Sequence, residues 1–258
     1  MTPADLATLA PRAVALARAA GEAILHVYAQ DFEVTHKSDR SPLTEADLAA
    51  HSVLARGLEQ LTPGLPILSE EALHAPYDER KEWKRLWLID PLDGTREFVK
   101  RNGEFTVNVA LIEDGVPVLD ELGCAVRGGE AWHERGGVRA PLARREPRGD
   151  DPLRVAGSRS HPDPRTQALL ERLGPHELIS LGSALKFVRL AAGEIDLYVR
   201  YGPTSEWDTA AGQCLVEAVG GSVTNLAGVP LRYNQRDSLL NPDFVASVDG
   251  SRDWLKLA

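Results

Sequence analysis

One eight-residue segment, LIDPLDGT at residues 88–95, constrains the fold of this chain more than any other. An apolar run ends there in Asp90, and a second carboxylate, Asp93, follows three residues later. In a continuing β-strand these two side chains would point to opposite faces, because side chains alternate along a strand. Pro91 stops the hydrogen-bond ladder, and Gly94 allows the chain to turn. The segment therefore predicts a strand that ends in a turn where the two carboxylates converge.

The converging oxygens are of the kind that binds a hard cation. Carboxylate and carbonyl oxygens are the ligands that magnesium prefers, and the carbonyl of Leu92 lies between the two aspartates. Residues 95–100 (TREFVK) can start a helix near Thr95, where free amides would face a phosphate oxygen. A polar turn with an aspartate cap is the simpler interpretation of a generic DxxDG pattern, because these residues are common in turns. Other segments must decide between the two interpretations.

Three further acidic segments shift the balance. ILSEE places Glu70 and Glu71 after a short apolar strand, TEAD places Asp47 three residues after Thr44, and EWDTAAG places Asp208 at the start of an apolar helix. Each has an ordinary structural explanation on its own: a solvated strand end, a capping box and a helix cap. Their occurrence together with LIDPLDGT, in this order, favours a chemical role over the ordinary structural explanations.

A motif in which the first aspartate acts as a nucleophile offers a competing interpretation. That motif is a strand followed by DxDGT, with the aspartates two residues apart on one side of the chain end. Asp90 and Asp93 are three residues apart with a proline between them, so the nucleophile motif fits poorly. The spacing favours metal ligands that form no bond to phosphorus.

The remaining pattern predicts a protein of the α/β (α+β) class with two halves, residues 1–150 and 151–258, packed as one unit. The first half should contain two helices, two short strands and a hairpin, at 12–28 (with Pro11 in the first turn), 44–61 (capped by Thr44), 66–69, 86–89 and 105–118 (turning at Asp114-Gly115). A stretch rich in Gly, Arg and Pro at 121–151 is expected to divide the halves. In the second half we expect strands at 153–157, 195–200, 222–225 and 244–247 and helices at 165–173, 183–194 and 208–220.

Composition excludes several classes of function. A formal net charge of −9 over 258 residues argues against a nucleic-acid partner. The two cysteines, Cys124 and Cys214, form no CxxC pattern and are expected to be free thiols in a reducing compartment. Neither a membrane span nor a signal peptide is indicated, so we expect a cytoplasmic protein. The amphipathic first helix allows at most a peripheral contact with the inner face of the cell membrane. The sequence leaves the oligomeric state open.

With these motifs in place, the chain resembles the inositol monophosphatase superfamily of lithium-sensitive, magnesium-dependent phosphatases. The shared pattern is an aspartate, then EE, then DPLDGT or DPIDGT, then WDTAA, and it extends from about residue 12 to 247. Within the superfamily the chain is most similar to the bacterial CysQ-type 3′(2′),5′-bisphosphate nucleotidases. The segments that carry this similarity are SPLTEADLAAH, LTPGLPILSEE, WLIDPLDGTREFVKRNGEFTVNVALI, SRSH, GSALKF and YGPTSEWDTAAG. The resemblance implies a layered αβαβα sandwich.

The resemblance also implies two or three magnesium ions and inhibition by lithium. Glu70, Asp90 and the Leu92 carbonyl would hold one ion, and Asp90, Asp93 and Asp208 would hold a second. The implied substrate is a small nucleotide, adenosine 3′,5′-bisphosphate, giving AMP and phosphate. The sulfated analogue, an inositol phosphate or a sugar phosphate are the alternative substrates. A non-catalytic regulator that binds metal or phosphate is a further alternative, but it would be expected to lack one of the matched acidic groups.

The same resemblance implies catalytic and substrate-binding roles. Glu70 and Thr95 would position and activate the attacking water, with Asp47 orienting the Thr95 hydroxyl. The segments SRSH (158–161) and GSALK (182–186) match regions near the nucleotide, with Lys186 placed to contact its second phosphate. The implied substrate-binding residues are Glu70, Leu92, Asp93, Gly94, Thr95, Ser158, Gly182, Ser183, Lys186 and Asp208.

One segment departs from the family pattern. Relatives usually continue after the hairpin with GVVYAP and a further strand, whereas GVPVLDELGCAVRGGEAWHERGG here is shorter by several residues and lacks that motif. We expect a strand of the first half to be abbreviated or paired differently, and any substrate contact from the segment is in question. None of the matched metal ligands lies within it.

Overall fold

The computed structural model of the chain describes residues 3–37, 41–120, 125–126, 131–135, 138–142, 152–160, 163–250, 252 and 254–256. Two long helices, a small hairpin, a short strand and a short helix come first: α1 (Pro3–Tyr28), β1 (Val34–His36), β2 (Pro42–Thr44), α2 (Glu45–Leu61), β3 (Ile67–Ser69) and α3 (Tyr77–Arg80). The helix predicted at 44–61 is confirmed. Thr44 caps it, and Asp47 completes a capping box with Thr44.

Helix α1 begins earlier than the sequence predicts. It starts at Pro3, so the expectation that Pro11 lies in the first turn is wrong. A proline inside a helix lacks an amide donor and crowds the carbonyl four residues earlier, which costs about 3 kcal/mol. The turns before Pro11 bury Leu6, Leu9 and Ala10 in the core formed with α2 and the first sheet. Burying one leucine side chain contributes about 1.5–3 kcal/mol of stability, so the packing of these turns offsets the energetic cost of Pro11.

In the described part of the chain, the first sheet has seven strands in the order β3-β4-β5-β6-β7-β8-β9. β3 is parallel to β4, and the other neighbours are antiparallel. The predicted hairpin is confirmed, because Asp114 and Gly115 have positive φ angles of 49° and 77° in a tight turn. The elements that follow β3 and α3 are β4 (Arg85–Asp93), α4 (Thr95–Val99), β5 (Thr106–Glu113), β6 (Val116–Asp120), β7 (Ala125–Val126), β8 (Ala131–Arg135) and β9 (Val138–Leu142).

The stretch at 121–151 does more than separate two halves. Its described residues form β7, β8 and β9 at one edge of the first sheet, although their Gly- and Arg-rich surroundings gave no strand signal. β7 is two residues long, while residues 121–124 and 127–130, which include Cys124, lie outside the described residues. β9 ends at Leu142, and the second sheet begins at Leu153. The division that we propose at residue 150 falls between them.

The second sheet has, among the described residues, five strands in the order β11-β10-β12-β14-β13. β10 is parallel to both β11 and β12. The sequence analysis missed β11, because its residues are largely exposed at the sheet edge and show no apolar run. The elements are β10 (Leu153–Ser158), α5 (Pro164–Leu173), β11 (His176–Leu181), α6 (Leu185–Ala191), β12 (Leu197–Arg200), a 3-10 turn (Glu206–Asp208), α7 (Ala210–Ala218), β13 (Ser222–Asn225), β14 (Phe244–Ser247) and a second 3-10 turn (Trp254–Lys256).

The two sheets lie in a five-layer sandwich. On β4, Trp87 and Ile89 pack in the core with α1 and α2, whereas Leu86 and Leu88 pack in the core shared by α6, α7 and the second sheet. The opposite face of the second sheet packs against α5, which contributes Leu169 and other residues. The order is therefore α1/α2, first sheet, α6/α7, second sheet, α5, and the αβαβα prediction is confirmed.

Within the described residues, none of the helices has the length and apolar character that crossing a membrane requires. Cys214 is buried in α7.

Candidate active site

An irregularity in β4 brings Asp90 and Asp93 to the same side of the strand. Asp90 is opposite Asn108 of β5 and Asp93 is opposite Thr106, so three steps along β4 match two steps along β5. A strand with one extra residue against its partner forms a β-bulge, which shifts the alternation of side chains. Both aspartates consequently line one cavity. The ladder does not end at Pro91 as expected; it resumes at Asp93, because the bulge absorbs the extra residue.

Hydrogen bonds fix the orientation of these two carboxylates. Asp93 Oδ2 accepts from the amide of Ala184 at 2.7 Å and from Nδ2 of Asn108 at 3.1 Å. Asp90 Oδ1 accepts from the amide of Leu92 at 3.1 Å. Each of these bonds involves one oxygen of its carboxylate, so the other oxygen can serve as a ligand for a cation.

Glu70 and Asp208 reach the same cavity from other elements. Glu70 directly follows β3, and its amide donates to the carbonyl of Ile89 at 3.2 Å, so the parallel pairing with β4 fixes its position. Asp208 ends the 3-10 turn before α7, where its Oδ2 accepts from the amide of Ser205 at 2.7 Å. Asp208 thus makes the capping contact of an aspartate at a helix start, and it also lines the cavity.

The Glu70 carboxylate has a cationic partner. Lys37 Nζ lies 2.6 Å from a carboxylate oxygen of Glu70 and 2.6 Å from one of Glu71. Burial alone would lower the pKa of Lys37, but attraction to Glu70 and Glu71 outweighs burial, so the pKa is raised. Burial raises the pKa of Glu71 to about 6 despite the bond from Lys37. The sequence analysis did not identify Lys37, because the surrounding KSDRSP segment indicated only a polar loop; its residues 38–40 lie outside the described ones.

The acidic side chains of the cavity oppose one another's ionisation. Burial, followed by repulsion from Glu70 and Asp93, raises the pKa of Asp90 well above its usual range. Burial and repulsion from Asp93 do the same for Asp208. A bound divalent cation would reverse these effects, because it supplies the charge that the carboxylates lack. The set of carboxylate and carbonyl oxygens fits Mg²⁺, which prefers oxygen ligands.

The ligands are gathered around the cavity without yet closing on one point. In the part of the chain that the structure describes, no three acidic, histidine or cysteine side chains are already spaced as a complete metal-binding group. Lys37 would compete with a bound cation for the Glu70 carboxylate, because its ammonium lies 2.6 Å from a Glu70 oxygen.

A second pair of residues adjoins the carboxylates. Asp47 is fully buried in the first turn of α2, where its Oδ2 accepts from the amide and the hydroxyl of Thr44 at 2.8 and 2.7 Å. Its Oδ1 accepts from the hydroxyl of Thr95 at 3.1 Å. The Thr95 hydroxyl also lies 3.3 Å from the carbonyl of Leu92, and its single proton serves one acceptor at a time. Asp47 is therefore both a helix cap and the group that orients Thr95.

The second half of the chain contributes a basic wall to the same cavity, formed by Lys186 and Arg200 with Ser158 and Ser183. Lys186 is buried at the start of α6 and donates to the carbonyls of Ser183 and Leu181 at 2.6 and 3.3 Å. Burial lowers the pKa of Lys186 to about 8, although Asp93 attracts its charge. Arg200, at the end of β12, is another cation in this wall, and it also lowers the pKa of Lys186. The sequence analysis missed Arg200; the available signal was a charged residue at the end of a strand of buried residues.

All but one of the residues predicted to form the site meet at a cavity of about 260 Å³. The exception is Asp47, which touches the site through Thr95. His161, the last residue of SRSH, lies outside the described residues. The predicted residues that line the cavity are Glu70, Asp90, Leu92, Asp93, Gly94, Thr95, Ser158, Gly182, Ser183, Lys186 and Asp208.

Comparison with known proteins supports the resemblance seen in the motifs. The inositol monophosphatase family model matches residues 5–250. A relative from Escherichia coli O157:H7, named 3′(2′),5′-bisphosphate nucleotidase CysQ, is 48% identical over 242 residues, covering 90% of this chain and 97% of the relative.

Solved structures agree with these matches. The crystal structure of CysQ from Bacteroides thetaiotaomicron is 40% identical in sequence, with a TM-score of 0.77 over 93% of this chain and 96% of that one. An inositol monophosphatase from Thermotoga maritima, at 24% identity, has the same fold, with a TM-score of 0.75 over 95% of this chain and 94% of that one. The resemblance to the superfamily is therefore confirmed. The chain belongs to the inositol monophosphatase family.

Proposed function

We propose that this protein is a magnesium-dependent phosphomonoesterase that hydrolyses adenosine 3′,5′-bisphosphate to AMP and phosphate. The observation that carries the proposal is one cavity that is lined by carboxylates from three separate segments and also by Lys186 and Arg200. The acidic side would hold the metal ions and the scissile phosphate, and the basic side would hold a second anionic group. The activity named for the bacterial relatives supports the choice of a nucleotide bisphosphate.

The proposed metal ligands belong to residues that line the cavity. Glu70, Asp90 and the Leu92 carbonyl would hold one Mg²⁺, and Asp90, Asp93 and Asp208 would hold a second; a third ion stays a prediction. Magnesium bound there would lower the pKa of the attacking water and stabilise the charge on the leaving oxygen.

Thr95 and Glu70 are proposed to position that water. Because the Thr95 hydroxyl donates to Asp47 at 3.1 Å, its oxygen is left as an acceptor for a proton of the water. The Glu70 carboxylate, which lines the same cavity, would accept the proton that is lost as the water attacks. Asp47 has no contact with the reacting atoms in this scheme and acts by orienting Thr95.

The scissile phosphate is proposed to lie against the main chain at Gly94 and Thr95. Gly94 has a φ of 94°, and a Cβ there would lie 3.0 Å from the carbonyl oxygen of Glu104 and 3.2 Å from Cβ of Ser183. Glycine is therefore required for this close approach, and both Gly94 and Thr95 line the cavity. Amides so placed can donate to phosphate oxygens.

Lys186 and Arg200 are proposed to bind the second phosphate. Each is more than 90% buried, and their mutual repulsion favours an anion between them. Ser158 and Ser183 line the same side of the cavity and add hydroxyl groups. An inositol monophosphate or a simple sugar phosphate has no second phosphate for this wall, which favours the bisphosphate over these alternatives.

Other parts of the prediction also stay proposals: a cytoplasmic location with at most peripheral membrane contact, no nucleic-acid partner, and no assigned oligomeric state. A non-catalytic regulator is disfavoured, because it would be expected to lack a metal ligand or a water-activating group, and Asp47, Glu70 and Thr95 are all present.

Phosphate release by purified protein tests the proposed function. With Mg²⁺, adenosine 3′,5′-bisphosphate should be hydrolysed faster than inositol monophosphate or a sugar phosphate, and lithium should inhibit. Rapid turnover of inositol phosphate with none of the bisphosphate would contradict the assignment of substrate. Absence of turnover with every phosphate ester in the panel would favour the regulator.

A further inference from the structure

The carboxylate of Glu104 joins the two halves of the chain beside the cavity. It lies in the loop between α4 and β5, and its Oε2 accepts from the amide of Gly182 at 2.8 Å. Arg159 donates to the same carboxylate through Nε at 2.8 Å and Nη2 at 2.7 Å, and also to the carbonyl of Ser180 at 2.7 Å. One side chain of the first half thus holds the ends of β10 and β11 in the second.

Neighbouring contacts reinforce this junction. Ser160 donates to the carboxylate of Glu97 in α4, and Lys100 donates to the hydroxyl of Ser160 at 3.0 Å. A Cβ at Gly182 would lie 2.5 Å from Cγ of Glu97 and 2.8 Å from the carbonyl oxygen of Glu104. The main chain at residue 182 is therefore pressed directly against α4 and the loop that follows it.

The segments held in this way include the part of the basic wall that carries Ser158, Ser183 and Lys186. Directly after Gly182, Ser183 has a φ of 45° and the amide of Ala184 donates to Asp93 at 2.7 Å. Lys186 follows in the next turn. Displacement of Gly182 would therefore move this wall relative to the carboxylates.

We propose that Glu104 is a positioning residue for the nucleotide: through Arg159 and the Gly182 amide, it fixes the segments 158–160 and 182–186 at the distance from the carboxylates that a bisphosphate requires. This inference rests on the proposed function. Glu104 itself does not line the cavity in the described structure, so its effect is indirect.

The two N–H groups of Arg159 and the main-chain amide of Gly182 form charge-assisted hydrogen bonds to Glu104 that hold a fixed geometry. They outweigh the effect of burial and lower the pKa of Glu104, so this link stays charged near neutral pH.

The test compares the variants E104A, E104Q and R159A with the unaltered protein in the presence of Mg²⁺. For E104A and R159A, the dissociation constant for AMP should rise about tenfold, because the basic wall shifts, while that for inorganic phosphate should change less than about twofold. The KM for adenosine 3′,5′-bisphosphate should rise in the same variants as the dissociation constant for AMP, and kcat should change little. E104Q keeps one acceptor oxygen and the side-chain volume, so its loss of affinity for AMP should be intermediate. If E104A does not fold, E104Q tests the role of Glu104.

Glu113 provides a matched control. It forms an ion pair with Arg85 at 2.6 Å, at the opposite end of β5 from the cavity, and E113A should leave both dissociation constants unchanged. Because Glu104 and Arg159 act as a unit, E104A/R159A should bind AMP no more weakly than either single variant.

Three results would overturn the inference: unchanged AMP affinity in E104A and E104Q, equal weakening for AMP and phosphate, or no AMP binding by the unaltered protein. If the unaltered protein binds AMP but does not hydrolyse the bisphosphate, the proposed function fails, while the AMP measurements still test Glu104.

Discussion

The hydroxyl of Thr95 lies 3.1 Å from Oδ1 of Asp47, although the two residues are 48 positions apart and lie at the starts of different helices. Because of this contact, Asp47 does more than cap helix α2. Both of its oxygens accept hydrogen bonds, one set from the capping box and one from Thr95. The start of α2 and the start of α4 are thereby held together at the edge of the cavity.

Removal of the Thr95 hydroxyl should slow the reaction without unfolding the protein. We expect T95A to lower kcat by about 10²–10⁴-fold, the usual range for loss of a group that assists proton transfer. T95S keeps the hydroxyl and should retain most of the activity. Steady-state phosphate release measures both, and thermal melting checks the fold. A kcat for T95A within threefold of the unaltered protein would exclude the proposed role for the hydroxyl.

Asp93 should matter in opposite ways for activity and for stability. Its charge raises the pKa of Asp90 and Asp208, so D93N should relieve repulsion and stabilise the metal-free protein. The same change removes a proposed metal ligand, so turnover should be abolished and Mg²⁺ should no longer raise the melting temperature. Melting curves with and without Mg²⁺, together with an activity assay, measure the three effects. Near-normal activity in D93N would contradict the assignment of Asp93 as a metal ligand.

The acidic cavity should make the effect of Mg²⁺ on stability dependent on pH. In the metal-free folded protein the pKa of Asp90 and of Asp208 is raised, whereas aspartates of the unfolded chain titrate near about 3.9. Their contribution to stability is therefore complete below that pH and is lost as pH rises through the raised values. If Asp90 and Asp208 are metal ligands as proposed, Mg²⁺ would bind their ionised forms, so the rise in melting temperature that it causes should be larger at about pH 8 than at about pH 5.5. An equal rise at both values would argue against these ligands.

Lys186 should impose an upper pH limit on binding of the bisphosphate. Burial lowers its pKa to about 8, so the ammonium is charged below that pH and becomes neutral above it. The value of kcat/KM for the bisphosphate should therefore fall as pH rises past about 8, since this ratio reports groups of the free enzyme. K186R, whose guanidinium stays charged, should abolish the fall. If K186R keeps the same pH profile as the unaltered protein, another group is responsible.

The parts of the fold and site that were predictable are those where the signal is local. The capping box at Thr44 and Asp47, the turn at Asp114-Gly115 and the apolar runs before the acidic residues each follow from a few neighbouring residues. The grouping of the acidic residues came instead from the family resemblance, because no local rule states that Glu70 and Asp208 meet.

The elements that were missed depend on distant partners. Lys37 is significant only because its ammonium reaches Glu70 and Glu71, 33 and 34 positions away. The exposed strand β11 has no apolar pattern and is recognisable only from its pairing with β10. The early start of α1 depends on packing that outweighs the local cost of Pro11. These are tertiary effects that a reading of local propensity cannot supply.

The bulge in β4 changes what the spacing between two aspartates means. In a regular strand, side chains two positions apart share a face; with one surplus residue, positions three apart do so instead. Asp90 and Asp93 are thus presented much as the carboxylates of an Asp-x-Asp pair would be, with one additional peptide unit between them. That additional unit contributes an uncharged oxygen without another acidic side chain. If Asp90, Leu92 and Asp93 are metal ligands as proposed, the surplus residue would give the site one neutral oxygen between two charged ones, a mixture that suits a divalent ion.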